Sequence, residues 1–353
     1  MAPTAWFVSF RLGHADGVSV ETAKWMGAFG DLGFRTRTLA GAGQADRVVP
    51  GLAIGADAPP TVAELQAALD GADLVVVENV CSLPLNRPAA DALADALRGR
   101  PAILHHHDLP WQRQASGDGQ AVPPTDPAWV HVTVNWLSRA QLAERGIPAV
   151  AVPNCFDADM AAGDRATTRR ALGVGDDERL LLQPTRAIAR KNVPAALRLA
   201  AQLGAVYWLL GPAEDGYDGE LSRLLSTAAP VRVVRGLPPQ ATVADAYAAA
   251  DAVTLPSTWE GFGNPTVESA LYRRPLAVGR YPVAREIAAH GFRWYPVDDP
   301  TPLARWLEAP DSTVLDLNRA IARRHFSLAT LRRRLHRVLA DAGWAPDAAR
   351  AGG

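Results

Sequence analysis

The sequence predicts an α/β protein of two domains. In each half of the 353 residues, short apolar segments alternate with stretches of helical periodicity. A polar stretch rich in Gly and Asp, 161–177, separates the two halves. The composition, 48% apolar and 21% charged, is that of a folded globular protein with enough length for two cores.

In the first half the apolar runs predict strands and the amphipathic stretches predict helices. The predicted strands are 6–10, 35–39, 73–78, 101–104, 130–134 and 149–152. The predicted helices are 21–32, 62–69, 89–97 and 137–145. Because strands and helices alternate, the strands are expected to form one parallel sheet.

The second half repeats the pattern. Strands are predicted at 180–184, 206–210, 231–234, 252–256 and 275–278, and helices at 165–172, 193–203, 220–228, 243–250, from 265 and from 286. A last helix, 328–340, carries an apolar stripe and an arginine-rich face, so we expect the stripe to dock on the body of the protein. The two halves therefore indicate two Rossmann-like domains facing a cleft.

Charge and cysteine content narrow the class of function. The net charge of −1 gives no general attraction to nucleic acid or to anionic lipid. Two cysteines, Cys81 and Cys155, suggest neither a disulfide framework nor a cysteine metal site and are consistent with the cytoplasm. No apolar run approaches the length of a membrane span, and the chain contains neither a G-x-G-x-x-G motif nor a P-loop.

The run 259–270, WEGFGNPTVESA, combines features of an anion site and a sugar site. Asn264 is predicted to cap a helix whose first residue is Pro265. The first turn of such a helix offers N–H groups and the positive end of a dipole to a phosphate. Glu260 and Glu268 flank the turn, and a carboxylate can accept hydrogen bonds from two sugar hydroxyls.

Two cations, Arg186 and Lys191, lie on the loop that follows the first strand of the second half and opens a helix. Positive charges held beside the start of a helix are suited to binding a diphosphate. The alternative is that both side chains are ordinary solvated charges on the surface.

The strand 101–104 ends in His105, His106, His107 and Asp108, at the edge of the sheet where open α/β folds bind ligands. Adjacent residues on a strand point in different directions, so the three histidines cannot form one metal face. One of them is expected to bond a substrate hydroxyl, or the cluster is simply a polar strand end.

The long loop 109–129 is a candidate lid. The pair Asp157 and Asp159 matches the D-x-D pattern, but we attribute this match to chance rather than to a metal site.

Five segments, in order, resemble family 4 retaining glycosyltransferases. They are the glycine loop 17–20, the linker 153–157 with Cys155 in place of the usual glycine, Arg186 through Lys191–Asn192, the strand end 235–237, and the run 255–278 with its two glutamates spaced Glu-x7-Glu. Taken alone, the glycine loop is better explained as an ordinary βα turn.

The resemblance implies the GT-B fold, with an N-terminal acceptor domain (1–158), a C-terminal nucleotide-sugar domain (159–325) and a final helix (326–353) that crosses back to the first. It also implies that no metal or cofactor is required.

The resemblance further implies roles for individual residues. Arg186 and Lys191 would neutralise the diphosphate, Glu260 would bond the transferred sugar, and Glu268 would hold the ribose. His106 or His107 would contact the donor sugar, and the local sequence leaves both open. Further donor contacts are expected at Gly17, Val18, Arg235, Gly236, Leu237, Phe262, Gly263, Asn264 and Thr266, and acceptor contacts at Asp16, Ser19 and Asp108.

The predicted function is transfer of a hexosyl unit from a nucleoside-diphosphate sugar to a small soluble acceptor, with retention of configuration. A sugar phosphorylase of the same fold and a non-catalytic sugar sensor are alternatives. A lipid acceptor is disfavoured, because the N-terminal half has no stretch that combines clustered basic residues with a large apolar face. No nucleic-acid partner and no stable membrane insertion are expected, and the oligomeric state is open.

Overall fold

A computed structural model describes residues 2–13, 16–112 and 121–346. The chain forms two compact units, Met1–Cys155 with Leu328–Gly353, and Phe156–Ser327. Both are parallel α/β structures, as the alternation of apolar segments predicts.

The first unit is built on a seven-stranded sheet of order β3-β2-β1-β4-β5-β6-β7. Its strands are β1 (Thr4–Leu12), β2 (Arg35–Gly43), β3 (Arg47–Val48), β4 (Leu74–Glu78), β5 (Ala102–His106), β6 (Trp129–Thr133) and β7 (Ala149–Ala151). Its helices are α1 (Gly17–Asp31), α2 (Val62–Ala68), α3 (Arg87–Leu97) and α4 (Trp136–Ala143). The register aligns Val8 of β1 with Leu39 of β2 and Val77 of β4 in one apolar core, and Phe7 of β1 with Val76 of β4 in a second, so both faces of the sheet are covered.

The second unit has a six-stranded sheet of order β10-β9-β8-β11-β12-β13. The strands are β8 (Arg179–Gln183), β9 (Ala205–Leu209), β10 (Val233–Arg235), β11 (Ala252–Leu255), β12 (Leu276–Val278) and β13 (Tyr295–Pro296). The helices are α5 (Arg165–Leu172), α6 (Val193–Leu203), α7 (Asp218–Ser226), α8 (Val243–Ala249), α9 (Pro265–Leu271), α10 (Pro282–Ala288), α11 (Thr301–Glu308) and α12 (Ser312–Phe326).

The last helix, α13 (Leu328–Asp341), returns to the first unit and packs against α1. Its stripe of Leu331, Leu335, Val338 and Leu339 is buried in the same core as Trp25. Burying four such side chains contributes about 6–12 kcal/mol before conformational entropy is subtracted. The predicted docking of this stripe and the crossing back of the chain are confirmed, although Leu328, the first residue of the predicted stripe, is exposed.

Several elements differ from the sequence-based predictions. Helix α1 begins at Gly17 rather than at 21, because the Asp16 carboxylate caps it by accepting from the N–H groups of Val18 and Ser19. Strands β3 and β13, each of two residues, and helices α11 and α12 were not predicted. Among the described residues, no helix is long and apolar enough to cross a membrane.

In both sheets the strand order reverses direction at one place. That place lies between β1 and β4 in the first unit and between β8 and β11 in the second. In open parallel sheets, the loops that leave the carboxyl ends of such a pair of strands form the ligand-binding crevice. The loops after β8 and β11 carry Lys191 and Glu260, and the loops after β1 and β4 begin near Gly13 and Asn79.

Candidate active site

The loops after β8 and β11 meet at a buried ion cluster. Lys191 Nζ lies 2.5 Å from Glu260 Oε1, and Arg190 Nη1 lies 2.8 Å from Glu260 Oε2. Burial favours the neutral carboxyl, but the charges of Lys191 and Arg190 prevail and hold the pKa of Glu260 below its ordinary value. Burial also lowers the pKa of Lys191, which Glu260 opposes. The cluster thus contains two cations and one carboxylate, a net positive charge at the predicted diphosphate position.

Backbone contacts fix this cluster in place. Arg190 also donates to the carbonyl of Trp259 at 2.9 Å, and its own carbonyl accepts from the N–H of Thr258 at 2.9 Å. The buried Gln183 side chain, at the end of β8, donates to the Lys191 carbonyl at 3.1 Å. The two loops are therefore joined by hydrogen bonds as well as by charge.

Arg186, the other half of the predicted cation pair, bonds the carboxylate of Glu214 and not Glu260. Its charge still lowers the pKa of Lys191, so it lies close enough to contribute to the field at the cluster. The second cation of the cluster is Arg190, the residue next to Lys191.

A Cβ added to Gly211 would lie 2.5 Å from the Arg186 Cα, so glycine at 211 allows the chain after β9 to pass close to the backbone of the loop that carries Arg186.

The turn that carries Glu260 is shaped by two glycines. Gly263 has φ +91°, and a Cβ there would lie 2.3 Å from the hydroxyl of buried Tyr281. Gly279, which follows β12, lets the chain pass the carbonyl of Ser257, since a Cβ would lie 2.5 Å from that oxygen. Both positions need glycine so that the Glu260 loop can lie against the neighbouring strand end.

Helix α9 begins at Pro265, as predicted, but its capping differs. Asn264 stands at the N-cap position, as predicted, but it already has helical φ and ψ (−44°, −40°) and its side chain makes no capping hydrogen bond. Thr266 donates through both its N–H and its hydroxyl to the carbonyl of Gly263. Its predicted donor contact is corrected to closure of the turn. The ring of Phe262 is buried against Phe156 and Phe326. The donor contacts predicted for Phe262, Gly263 and Asn264 are those of their backbone N–H groups, and they stay predictions.

Glu268, in the first turn of α9, is half-buried and accepts a hydrogen bond from the hydroxyl of Tyr247 at 2.8 Å. Tyr247 lies on α8 and stacks on Tyr272 with ring centroids 4.6 Å apart. Burial, together with the Glu268 charge, raises the pKa of Tyr247 well above its ordinary value, so Tyr247 stays a donor. Tyr247 therefore orients the carboxylate predicted to hold ribose.

The end of β10 places Arg235, Gly236 and Leu237 at the edge of the sheet where ligands are expected. Gly236 already donates to the Leu209 carbonyl at 2.9 Å and accepts from the Trp208 indole at 2.8 Å. Its N–H is therefore not available to a base, which corrects that part of the prediction for Gly236. Arg235 and Leu237 are exposed, and their predicted donor contacts stay predictions.

In the first unit, the histidines at the end of β5 have separate environments. His106 is buried, with Nδ1 2.7 Å from the Ser82 hydroxyl and Nε2 2.9 Å from Nδ1 of His131. Because both ring nitrogens of His106 bond the protein, its predicted catalytic role is corrected to a structural one. The choice left open by the sequence therefore falls on His107.

His107 and His105 share one acceptor, the buried carboxylate of Glu78 at the end of β4. Glu78 Oε2 lies 2.7 Å from His107 Nε2 and 2.9 Å from His105 Nδ1. Burial would raise the pKa of Glu78, but the two imidazoles hold it at about 2. These atoms face one another at hydrogen-bond distance, so the three residues form a hydrogen-bond network.

The backbone beyond β5 is held by Asn79, which has a left-handed φ of 64°. Its side-chain oxygen accepts from the N–H of His107 at 3.1 Å and from that of Asp108 at 3.5 Å. The predicted acceptor contact of Asp108 and the hydroxyl contact of His107 remain predictions. The predicted lid, 109–129, falls in part on 113–120, outside the described residues.

At the start of α1, Asp16 and Ser19 bond each other. Ser19 Oγ donates to Asp16 Oδ2 at 3.0 Å, and the other Asp16 oxygen caps the helix. Both side chains are therefore hydrogen-bonded at the start of the helix, and their predicted acceptor contacts stay predictions. Gly17 and Val18 open the helix, and their predicted contact with phosphate stays a prediction.

Three site residues were missed from the sequence: Arg190, Tyr247 and Glu78. Arg190 stands beside Lys191, and adjacency to a predicted ligand was the only signal available. Glu78 carried a stronger one, since it is a charged residue that ends a strand of four apolar residues. Tyr247 gave none, because it lies 21 residues before Glu268 on another helix.

Comparison with known proteins agrees with this geometry. Residues 164–309 match the family model of the glycosyl transferases group 1. Mannosylglucosylglycerate synthase of Petrotoga mobilis is 24% identical over 81% of this chain and 84% of its own length. D-inositol 3-phosphate glycosyltransferase of Mycobacterium tuberculosis is 38% identical over 132 residues, which span 35% of this chain and 27% of the relative.

Solved structures with the same fold cover nearly the whole chain. Anabaena HepE in complex with UDP is 18% identical with a TM-score of 0.74, over 96% of this chain and 100% of that one. Sucrose-phosphate synthase from Thermosynechococcus elongatus is 15% identical with a TM-score of 0.75, over 98% and 100%. The resemblance read from the sequence is thereby confirmed: residues 164–309 form a glycosyl transferases group 1 domain, and the chain is a glycosyltransferase of the GT-B fold.

Proposed function

We propose that this glycosyltransferase moves a hexosyl unit from a nucleoside-diphosphate sugar to a small, soluble, polyhydroxylated acceptor, with retention of configuration and without a metal. The observation that carries the proposal is the Lys191–Glu260–Arg190 cluster where the strand order of the second sheet reverses. It joins fixed positive charge to a carboxylate within one hydrogen-bonded unit.

The cations act on the leaving group. As the bond between the sugar C1 and the diphosphate oxygen breaks, the nucleoside diphosphate gains negative charge. Lys191 and Arg190 are already held in place by Glu260, so little reorganisation is needed when that charge develops. This arrangement supports assigning to side chains the charge stabilisation that a divalent cation would otherwise provide.

Glu260 also has capacity for the sugar. Each carboxylate oxygen accepts more than one hydrogen bond, so Oε1 and Oε2 can receive sugar hydroxyls while they bond Lys191 and Arg190. Glu268, oriented by Tyr247, is assigned to the ribose hydroxyls. Both glutamates bind and orient substrate in this proposal, and neither is a nucleophile.

Retention follows if the acceptor attacks from the face that the leaving group vacates. The acceptor oxygen then bonds C1, the C1–diphosphate bond breaks, and the acceptor proton passes to a diphosphate oxygen. No protein base is needed, which is consistent with Lys191 and Glu260 being paired with each other rather than poised to take a proton.

The names of two relatives support a small anionic acceptor. One synthesises a glycerate-containing glycoside, and the other is named for inositol 3-phosphate, so both names contain a small polyhydroxylated anion. Anabaena HepE has been crystallised with UDP-glucose, which makes UDP-sugars the first donors to test.

The test incubates the protein with a panel of UDP-, GDP- and ADP-sugars and with glycerate-, glucosylglycerate- and inositol-phosphate-type acceptors. Acceptor-dependent release of nucleoside diphosphate and a product with the donor's anomeric configuration, both unchanged by EDTA, are expected. An inverted product contradicts retention, and a loss of rate in EDTA that Mg²⁺ restores contradicts metal independence. Phosphate-dependent release of a sugar 1-phosphate without nucleotide would establish the phosphorylase alternative.

A further inference from the structure

The carboxylate of Glu78 lies at the carboxyl end of β4, beside the place where the first sheet reverses its strand order. It is fully buried and contacts two imidazoles through a single oxygen, Oε2. A buried carboxylate is costly unless it is paired and hydrogen-bonded, so its retention at this position requires an explanation.

The two imidazoles that share this oxygen are not equivalent. His105 is completely buried, and its ring stacks on Trp25 with centroids 4.0 Å apart. Its second nitrogen, Nε2, is buried and has no hydrogen-bond partner among the described residues. The His107 side chain is 11% exposed, so of the two imidazoles it is the one that a ligand can reach.

The chemistry of the shared oxygen determines where the His107 proton lies. An ionised carboxylate only accepts hydrogen bonds, so the ring nitrogen that faces it, Nε2, must carry a proton. In the neutral ring Nδ1 is then the bare nitrogen, which accepts from a hydroxyl. The backbone N–H of His107 donates to Asn79, so the residue is held through its backbone as well as through ring Nε2.

We propose that Glu78 is a positioning residue of the transferase, which keeps a proton on Nε2 of His107 and so presents Nδ1 to a hydroxyl of the substrate. This inference rests on the proposed function, in which His107 bonds a substrate hydroxyl. Glu78 itself is enclosed by the sheet and acts only through His107.

The charged groups around His107 come from three elements. Glu78 lies on β4, Asp108 follows on the same strand end as His107, and Glu21 lies on α1, where it pairs with Lys24 at 2.5 Å. Burial lowers the pKa of His107, but its hydrogen bond to Glu78 and the charge of Glu78 outweigh burial and raise it, with smaller contributions from Glu21 and Asp108.

The first experiment needs neither activity nor a variant of Glu78. The eight histidines are labelled with ¹⁵N in the ring, and the His107 signals are assigned by their loss in His107→Gln. At a pH where His107 is neutral, we expect the Nε2–H tautomer. A His107 that carries its proton on Nδ1 overturns the proposal, whether or not any nucleotide sugar proves to be a donor.

The second experiment compares Glu78→Gln with Glu21→Gln, which removes another buried carboxylate without touching the His107 ring. Loss of an adjacent opposite charge is expected to lower the His107 pKa by about 1–3 units in Glu78→Gln. Because the glutamine NH₂ can donate to Nε2, the proton is also expected to move to Nδ1. Glu21→Gln should give a smaller pKa change and leave the tautomer unaltered.

The third experiment measures the kinetics of the same variants with the donor identified in the nucleotide-sugar panel described above. In Glu78→Gln, kcat is expected to fall about 10- to 150-fold, the equivalent of one charge-assisted hydrogen bond. The limb of the pH profile due to His107 should move to lower pH, and Glu78→Gln should cause no further loss in a His107→Gln background. An equal loss in that background would overturn the positioning role. If Glu78→Gln does not fold, the tautomer of the wild-type protein decides the question.

Discussion

Replacement of Lys191 by methionine tests the diphosphate assignment against a control within the same chain. The chain contains two lysines, Lys24 and Lys191, and each lies 2.5 Å from a buried glutamate. Breaking a buried ion pair costs up to about 3–5 kcal/mol, so both Lys24→Met and Lys191→Met are expected to lower the melting temperature. The informative quantity is therefore the additional shift caused by ligand, measured within each variant.

The size of that shift follows from the contacts. A ligand at 100 times its Kd stabilises a protein by about 2.7 kcal/mol, equivalent to about 5–10 °C for a domain of this size. A hydrogen bond to a charged group contributes about 1.5–3 kcal/mol, so loss of Lys191 raises Kd about 10- to 150-fold. At the same ligand concentration the stabilisation then falls to about 0.3–1.4 kcal/mol.

The assay is thermal unfolding with UDP, GDP and ADP, followed by titration calorimetry on whichever nucleotide stabilises the wild-type protein. The shift should be preserved in Lys24→Met and reduced in Lys191→Met. An undiminished ligand shift in Lys191→Met would refute the role assigned to its ammonium group. Equal reductions in the two variants would attribute the effect to general destabilisation.

Two further outcomes follow from the structure. In Gly279→Ala the new Cβ would lie 2.5 Å from the Ser257 carbonyl, so the free energy of unfolding should fall by about 1–3 kcal/mol and nucleotide binding should weaken. The control Gly30→Ala, on α1 with open space around it, should be tolerated. Equal melting temperatures of the two variants would contradict the steric reasoning. Burial holds the pKa of His131 at about 4, whereas the ordinary value in the unfolded chain is about 6.5. Between pH 6.5 and pH 4 the unfolded chain therefore binds more protons than the folded one. The free energy of unfolding should fall by about 3 kcal/mol as the pH drops through this range. His131→Asn should flatten this dependence in urea unfolding measured from pH 7 to 4, and an unchanged slope would exclude His131 as its source.

The sequence predicts the parts of the fold that depend on local pattern. Apolar runs such as 74–77 and 180–182 become buried strands because a strand covered on both faces has no place for polar side chains. The two-residue strands β3 and β13 were missed, since two residues carry no periodicity. Helix α12 was missed although it is 15 residues long, because it buries few side chains and has no strong apolar stripe.

Site residues on the chain's motifs could be located from sequence, but their partners could not. Lys191 and Glu260 were both predicted, yet nothing in the sequence indicates that they bond each other across 69 residues. Arg186 was predicted in the cluster instead of Arg190 because the sequence does not show their different partners, Glu214 for Arg186 and Glu260 for Arg190. His106 and His107 differ by one position, and only the alternation of side chains along β5 places one toward His131 and the other toward Glu78.

Both units place a buried carboxylate between two nitrogen groups near the carboxyl ends of their strands. Glu260 lies between Lys191 and Arg190, and Glu78 lies between His105 and His107. In the first case the cations exceed the carboxylate by one charge, which favours an arriving diphosphate. In the second, the ionised carboxylate keeps protons on the ring nitrogens that face it. His107 Nδ1 then accepts a hydrogen bond when the ring is neutral and donates one when the ring is protonated. The same arrangement therefore yields an anion site in one unit and an oriented imidazole in the other, because the partners of the carboxylate are an ammonium and a guanidinium group in the first and imidazole rings in the second.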